Sequence, residues 1–393
     1  LFFGTIMSAA RSKLMDYSQR VEVSRHSGVK FANEIITPDR RRGRGAASNA
    51  TGRFEPMKRE AFDDGWDADE EAPLFKTEVI HERARTIITR NESPDISFDR
   101  SINPYRGCEH GCFYCYARPT HAYLGLSPGL DFESKLFVKD GAAALLAREL
   151  GARNYRPQTI ALGANTDPYQ PIERQYRVTR SVLEVLAKAN HPVGIVTKSN
   201  LVLRDLDILG PMAAKGLAKV YISVTTLDRD LARKMEPRAP TPGRRIDAIE
   251  QLAAAGVPVG VMTAPIIPAV NDDEMERILA RAHNAGAREA GYVLLRLPLE
   301  LRDMFREWLQ INFPDKLRHA LSLLQSTHGG KDYESQWGKR MAGSGPYAWM
   351  IGRRFEIAAA RLGFNEAPAK LRSDLFLAPE PEAGKEAKQL SLF

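Results

Sequence analysis

Arg106-Gly107-Cys108-Glu109-His110-Gly111-Cys112-Phe113-Tyr114-Cys115-Tyr116 decides how this 393-residue chain is read. Its three cysteines are the only ones in the chain, and they fall in the spacing C-x3-C-x2-C. An odd number of thiols cannot pair completely. Thiols gathered in one loop of a cytosolic protein favour metal or redox chemistry. Three thiolates leave a four-coordinate structural zinc site one ligand short. A Cys3His zinc site would need His110 or His121 as the fourth ligand, and His110 reaches only if the loop folds sharply. Three thiolates can also hold three irons of a [4Fe-4S] cluster and leave the fourth iron open.

The sequence around this loop is ordinary for a globular protein, with 43% hydrophobic and 27% charged residues. No run of about 18 apolar residues appears, so no membrane span is predicted and a cytoplasmic location is expected. The opening Leu1-Phe2-Phe3-Gly4-Thr5-Ile6-Met7 is too short an apolar run for a signal peptide, and Met7 is a candidate start. The net charge of +7 is unevenly spread. Residues 1–60 hold 12 Lys and Arg against 6 Asp and Glu, whereas residues 61–80 hold 1 against 7. The run Arg40-Arg41-Arg42-Gly43-Arg44-Gly45 suits either phosphate contacts or pairing with the acidic run Asp63 to Glu71.

Residues 1–75 lack a sustained apolar period and are predicted to form an extended or disordered arm. From 76 to 300, short β-rich runs alternate with helical patterns. The runs cover 159–164, 193–197, 219–225, 257–263 and 291–297, and a further strand is placed just before Cys108. Before them, Ile80, Ile87 and Ile88 suggest a short packed element. A helix is predicted over 176–189, where Val178, Val182, Val185 and Leu186 share a face. Another covers 242–256, with Pro242 in the first turn and Gly256 at the stop. A third covers 271–285, with Asn271 as N-cap before an acidic first turn. Repeated βα units predict an α/β fold with a parallel sheet, open or closed into a barrel. Residues 301–370 read as a C-terminal helical extension, polar through 340. An amphipathic helix then places Tyr347, Met350, Ile351, Phe355, Ala359 and Leu362 on one face and ends at Gly363. That helix would cap the open barrel or pack on its outside. Residues 371–393 read as a linker and a terminal docking peptide.

The cysteine spacing, with an aromatic just before the last cysteine, resembles the signature of the radical S-adenosylmethionine (SAM) superfamily. The resemblance implies a partial (β/α)6 barrel with the cluster loop directly after the first strand. It implies a [4Fe-4S] cluster on Cys108, Cys112 and Cys115, with SAM chelated to the open iron. It also implies an enzyme that cleaves SAM reductively and abstracts a hydrogen atom from its substrate. Barrel chemistry gathers at the C-terminal ends of the strands. Those ends supply candidate SAM contacts: Tyr114 beside the adenine, and Asn165, Thr166 and Asp167 for an amino or carboxylate group. Lys198 would pair with the methionyl carboxylate. Ser223 and Thr225, alternating on one strand face, would lie near the ribose. Ala264 sits in an apolar segment suited to the adenine, and Arg296 ends the sixth strand. Plainer roles stand beside these: backbone-satisfied hydroxyls at Ser223 and Thr225, a surface Lys198, and Arg296 paired with a structural carboxylate.

The phrases Cys-Phe-Tyr-Cys-Tyr, Asn-Thr-Asp-Pro-Tyr-Gln-Pro-Ile-Glu, Ile-Val-Thr-Lys-Ser and Ile-Ser-Val-Thr-Thr look like the spore photoproduct lyase-like branch. That likeness covers about residues 100–300. Spore photoproduct lyase repairs a thymine dimer in DNA and uses a cysteine near the second strand as hydrogen donor. Here that strand end reads Gly163-Ala164-Asn165, and no cysteine lies outside the loop. The same lyase reaction would need a tyrosine relay such as Tyr169 or Tyr221, and auxiliary Cys-ligated clusters are excluded. The resemblance implies lyase- or transferase-type chemistry on nucleic acid, in DNA repair or modification, served by a donor such as flavodoxin or ferredoxin. A peptide or small-molecule substrate is one alternative. A non-catalytic, metal-stabilised nucleic-acid-binding scaffold is another. The end of the chain, Gln389-Leu390-Ser391-Leu392-Phe393, resembles the peptide by which bacterial repair and replication proteins dock on the DNA sliding clamp. The alternative is a tail folded back on its own core.

Overall fold

Short runs of Val, Ile and Leu, bounded by glycine and polar turns, build the strands of a computed structural model that describes residues 35–41, 43–57 and 74–380. In chain order the strands are β1 (Glu78–Glu82), β2 (Ile88–Arg90), β3 (Arg100–Ile102), β4 (Tyr105–Arg106), β5 (Lys135–Lys139), β6 (Ile160–Leu162), β7 (Val193–Thr197), β8 (Ala218–Ser223), β9 (Val259–Ile266) and β10 (Glu289–Leu294). Strands β3 and β6 to β10 lie side by side and parallel, in sequence order. They are the six strands of the partial (β/α)6 barrel. Burial on both faces explains their unbroken apolar runs, as in Ile160-Ala161-Leu162.

The edge strand β2, antiparallel to β3, is an addition to the sequence reading. So is a second small sheet in the order β1-β5-β4. Strand β1 pairs with β5 through Glu78 opposite Lys135, a long-range register that no local pattern announces.

Six helices connect the strands: α1 (Ala142–Leu150), α2 (Val178–Lys188), α3 (Leu206–Ala214), α4 (Arg229–Met235), α5 (Pro242–Ala254) and α6 (Met275–Asn284). Helix α2 buries Val178, Val182, Leu183 and Leu186. Helix α5 opens on Pro242 and stops before Gly256, which sits at φ +75°. Asn271 does not cap α6. Its Oδ1 accepts from the Ile267 amide at 2.6 Å, and its Nδ2 donates to the carbonyls of Thr225 (2.7 Å) and Pro265 (3.0 Å). The side chain is taken up tying together the chain beyond β8 and the end of β9.

The C-terminal extension contains α7 (Leu301–Asn312), α8 (Leu317–Thr327) and α9 (Gly345–Leu362). Two expectations are corrected here. Helix α7 is not polar throughout, since it buries Leu301, Met304, Phe305, Trp308 and Leu309. Helix α9 packs on the outside of the barrel, against α6 and α8, with the Phe355 ring 4.8 Å from and tilted against Tyr292 of β10. Its buried face is Ala348, Ile351, Phe355, Ala358 and Ala359, which leaves Met350 exposed.

The stretch 371–377, read as the start of a linker, packs instead. The Arg372 amide bonds the Gly216 carbonyl and the Leu377 amide the Ala189 carbonyl, both at 2.9 Å. Leu375 and Phe376 are apolar enough to hold it against the core. Within the predicted arm, a short helical turn over Pro38–Arg41 and the stretch 43–52 pack in part, with Ile36, Ala46 and Ala47 buried. The remainder of the arm, the acidic run to Glu71 and the tail Gln389 to Phe393 lie outside the described residues. Among the described residues no helix is long and apolar enough to cross a membrane.

Candidate functional site

Beyond β3 and β4 the chain enters the cysteine loop at the C-terminal ends of the parallel strands. The loop's shape depends on glycine in two places. Gly111 sits at φ +70°, where a Cβ would lie 2.8 Å from the Glu133 carboxylate. At Gly45, from the N-terminal segment, a Cβ would lie 1.6 Å from the Gly111 carbonyl oxygen. The two backbones touch, so neither position tolerates a side chain.

Glu133 and Arg118, both fully buried, form the centre of this packing. Glu133 accepts from the amides of Gly45 and Ala46, each at 2.8 Å, and from the Arg118 guanidinium. Arg118 donates as well to the carbonyls of Cys112 (2.8 Å), Pro128 (3.1 Å) and Gly129 (2.9 Å). A buried ion pair is tolerable when its remaining lone pairs and protons are satisfied, as they are here. Arg44 also turns inward, to the Glu133 backbone carbonyl and to the Thr77 hydroxyl at 2.8 Å. It is therefore structural rather than a phosphate contact. From the second strand end, Gln170 accepts from the Glu109 amide at 3.0 Å and donates to the Gly107 carbonyl at 3.1 Å. The sequence reading missed Arg44, Arg118, Glu133 and Gln170 as supports of the loop. The only available signal was the Arg-Gly pairing at 44–45.

The three thiols are free, Cys108 and Cys112 buried and Cys115 half-buried. Burial pushes all of them up, Cys112 to about 12. Such thiols stay protonated until a metal takes the proton's place. All three line one cavity of about 750 Å³, within the range of cofactor and ligand pockets. Both candidate zinc histidines are engaged elsewhere. His121 donates from Nε2 to the Lys135 carbonyl at 3.0 Å and lies among Phe132 and Phe137. His110 faces Asp167 at 3.4 Å. Among the described residues, no three His, Cys, Asp or Glu side chains are grouped to hold a single metal ion. Free thiols, no fourth ligand among the described residues and an adjoining cavity fit a three-thiolate cluster with one open iron.

Tyr114, Asn165, Thr166, Asp167, Lys198, Ser223, Ala264 and Arg296 line the same cavity. Their availability differs. Asp167 is already bonded, accepting from the Thr197 hydroxyl (2.6 Å) and from the amides of Lys198 (2.8 Å) and Tyr169 (2.9 Å). Burial alone would raise its carboxyl, but His110 and these donors outweigh burial and hold it below the usual carboxylate range. It joins the cysteine loop to two strand ends. Thr166 likewise spends its hydroxyl on the Tyr105 carbonyl at 2.8 Å. The Tyr114 hydroxyl bonds Glu236, which pairs with buried Arg245, and the Lys198 ammonium stands 5.8 Å from the Tyr114 ring centre. Arg296 has no carboxylate of the described residues within ion-pair distance. Its partners are the Tyr333 hydroxyl (3.3 Å) and the Met341 sulfur (3.5 Å), and its buried Nε is unpaired.

Three sequence candidates fall outside the cavity. Thr225 is buried with an unpartnered hydroxyl, and its carbonyl is taken by Asn271. Tyr169 lies buried near Arg204, and the Tyr221 hydroxyl bonds Glu289 at the start of β10. Neither tyrosine is placed to relay hydrogen. Tyr105, Tyr114 and Tyr116 are the tyrosines that line the cavity among the described residues.

Two covers complete the site. Trp308 of α7 stacks on Phe113 of the cysteine loop at 3.9 Å and 12°, and its Nε1 donates to the Lys234 carbonyl at 2.9 Å. On the open side of the barrel, the segment 338–341 bridges the two sheet edges. The Leu294 amide bonds the Met341 carbonyl at 2.9 Å, while the Gly338 amide (2.6 Å) and the Arg340 guanidinium both bond Asp95.

An open parallel α/β barrel with three free thiols at its C-terminal mouth defines a class. The model of the Radical SAM superfamily matches residues 102–282. An uncharacterized protein of Mycobacterium tuberculosis is 37% identical over 249 residues, which covers 62% of this chain and 73% of the relative. One from Methanocaldococcus jannaschii is 28% identical over 240 residues, or 61% and 85%. The fold is also that of spore photoproduct lyase, solved in complex with dinucleoside spore photoproduct. There the TM-score is 0.50 at 18% identity, over 72% of this chain and 78% of that one. The chain belongs to the radical SAM superfamily, whose members use a [4Fe-4S] cluster and SAM.

Proposed function

We propose that this protein is a radical SAM enzyme acting on nucleic acid, in repair or modification. The single observation that carries the enzymatic half is the cavity of about 750 Å³ where three free thiols meet Lys198 and the strand ends. Cys108, Cys112 and Cys115 would hold the cluster. Among the predicted SAM contacts, Lys198, Asn165, Ser223 and Ala264 line the cavity and would bind SAM. When bound, the two groups supply one-electron cleavage of SAM and hydrogen-atom abstraction. The chain's own residues bind, orient and exclude water. Lys198 offers its charge to a carboxylate, Glu236 fixes the Tyr114 ring, and α7 with the 338–341 segment closes the walls.

The nucleic-acid half is supported by the fold shared with a lyase solved in complex with dinucleoside spore photoproduct. Arg296, in the same cavity and without a carboxylate of the described residues in ion-pair distance, favours an anionic substrate. The cavity must also hold the cluster and SAM and has no room for a duplex, so the target base would leave its stack. The tail Gln389 to Phe393 would tether the enzyme to a sliding clamp, and flavodoxin or ferredoxin would supply the electron. The test is anaerobic reconstitution followed by a dithionite-driven 5′-deoxyadenosine assay with oligonucleotides, peptides and small metabolites. We expect about four irons and four sulfides per chain, lost on Cys→Ala change at 108, 112 or 115, and product formation stimulated by oligonucleotides. Stimulation by peptides or metabolites alone would reassign the substrate. A colourless protein holding stoichiometric zinc would remove the enzymatic reading.

A further inference from the structure

The cavity rim continues outward along the 3-10 helix Arg118–Leu124, whose Thr120 and Leu124 line it. Residues three apart eclipse in such a helix, so Tyr123 stands directly beyond Thr120, 67% exposed. Phe54, from the N-terminal segment and 56% exposed, stacks on it with ring centres 5.3 Å apart and planes 27° apart. The Arg53 guanidinium lies 5.4 Å and 5.6 Å from the two ring centres. It is fixed there by Glu300 at 2.7 Å and by the Pro119 carbonyl at 3.2 Å. Two large rings from distant segments are thus held in place at the surface, beside the mouth of the cavity. Because Glu300 neutralises Arg53, the patch is close to neutral and its free surface is aromatic. That suits the flat face of a base rather than a phosphate.

We propose that Phe54 and Tyr123 form a base-stacking platform for single-stranded or locally unpaired nucleic acid. It would seat the base next to the nucleotide that enters the cavity. The proposal rests on the nucleic-acid reading above and adds a strand requirement, because a closed duplex offers no free base face at this position.

The experiment uses the full reconstituted chain and a dye-labelled 12-mer, single-stranded or annealed, with 2-aminopurine placed along the strand. Binding is measured across a salt series for the parent, F54A/Y123A and the conservative Y123F. The platform requires tighter binding of the single strand than of the duplex. In the double alanine variant that binding should fall about tenfold to a hundredfold, as loss of one stacked base accounts for. The salt slope should stay unchanged, because no phosphate contact is lost. Quenching of 2-aminopurine should also disappear, and Y123F should behave as the parent. Equal binding by parent and double variant overturns the platform and leaves the proposed function standing. A loss accompanied by a shallower salt slope also overturns it, since the rings would then be positioning a phosphate contact. No binding of either oligonucleotide by the parent removes the nucleic-acid reading itself. Iron content and melting temperature, expected to match the parent because both rings are exposed, show that any loss is local.

Discussion

Glu133 accepts from two backbone amides and a guanidinium, so its charge is required by geometry as well as by Arg118. In Glu133→Gln one acceptor becomes an NH2 group facing donors, and Arg118 is left uncompensated. Loss of one partner of a buried pair costs about 3–5 kcal/mol. Denaturant unfolding of the apoprotein should show that loss, and the variant should retain less iron after anaerobic gel filtration. Full stability with full iron would mean that Glu133 does not hold the loop. Lys198 has a different role, half-buried beside Tyr114 with its ammonium toward the thiols. Lys198→Ala should weaken SAM binding to the reconstituted protein by about 1.5–3 kcal/mol, the range of a charge-assisted hydrogen bond. Equilibrium dialysis would read this directly. Unchanged affinity would assign the SAM carboxylate to another group.

Among the elements, α7 contributes most to the site that the sequence did not announce. Its Trp308 is 3% exposed and stacks on Phe113, between Cys112 and Cys115. Trp308→Ala removes a ring from a packed interior, at a cost of about 3–5 kcal/mol. It also uncovers one side of the cysteine loop. Apoprotein stability should fall by that amount, and the reconstituted cluster should bleach faster in air. A variant that bleaches at the parental rate would show that α7 braces the fold without shielding the loop. The predicted cover was the longer amphipathic helix α9, which proved to pack outside. An amphipathic face shows that a helix is half-buried, but it does not show against what. The partner of α9 is set by where α6 and α8 lie in space.

At the scale of the whole molecule, buried histidines contribute to the response to acid, His191 and His121 among them. His191 donates from Nδ1 to the Pro192 carbonyl (3.0 Å), and its Nε2 lies 2.7 Å from the Tyr155 hydroxyl, which donates to it. His121 donates from Nε2, and its buried Nδ1 has no partner. Burial lowers both to about 4, against about 6.5 in an unfolded chain. The unfolded state therefore takes up protons first as pH falls. The contribution of these groups is complete above pH 6.5 and is lost between about 6.5 and 4, at most roughly 3 kcal/mol for each. Denaturant midpoints from pH 7.5 to 4.5 should fall in that window, and His191→Gln should flatten the fall even if it is less stable throughout. An unaltered slope would show that His191 titrates normally.

The features legible in the chain before it folds are local or periodic. The cysteine spacing named the metal chemistry, because ligands eight residues apart or fewer must share one loop. Alternating β-rich runs and apolar helical faces located the parallel strands, because buried strands and amphipathic helices carry their own period. From that topology the cavity residues Lys198, Ser223, Ala264 and Arg296 followed, since strand ends converge on one mouth. Only the tertiary structure decided which of those groups were available. Asp167 and Thr166 look like ligands in sequence but are bound by Thr197 and Tyr105, residues far along the chain. Thr225 misses the cavity because the strand pattern ends at Ser223. Of the braces of the cysteine loop, Arg44, Arg118 and Glu133 have no period and no family motif, while Gln170 sits in a recognised phrase whose bracing role the sequence does not show. Each matters through the partners that the fold brings to it, and most of those lie far along the chain.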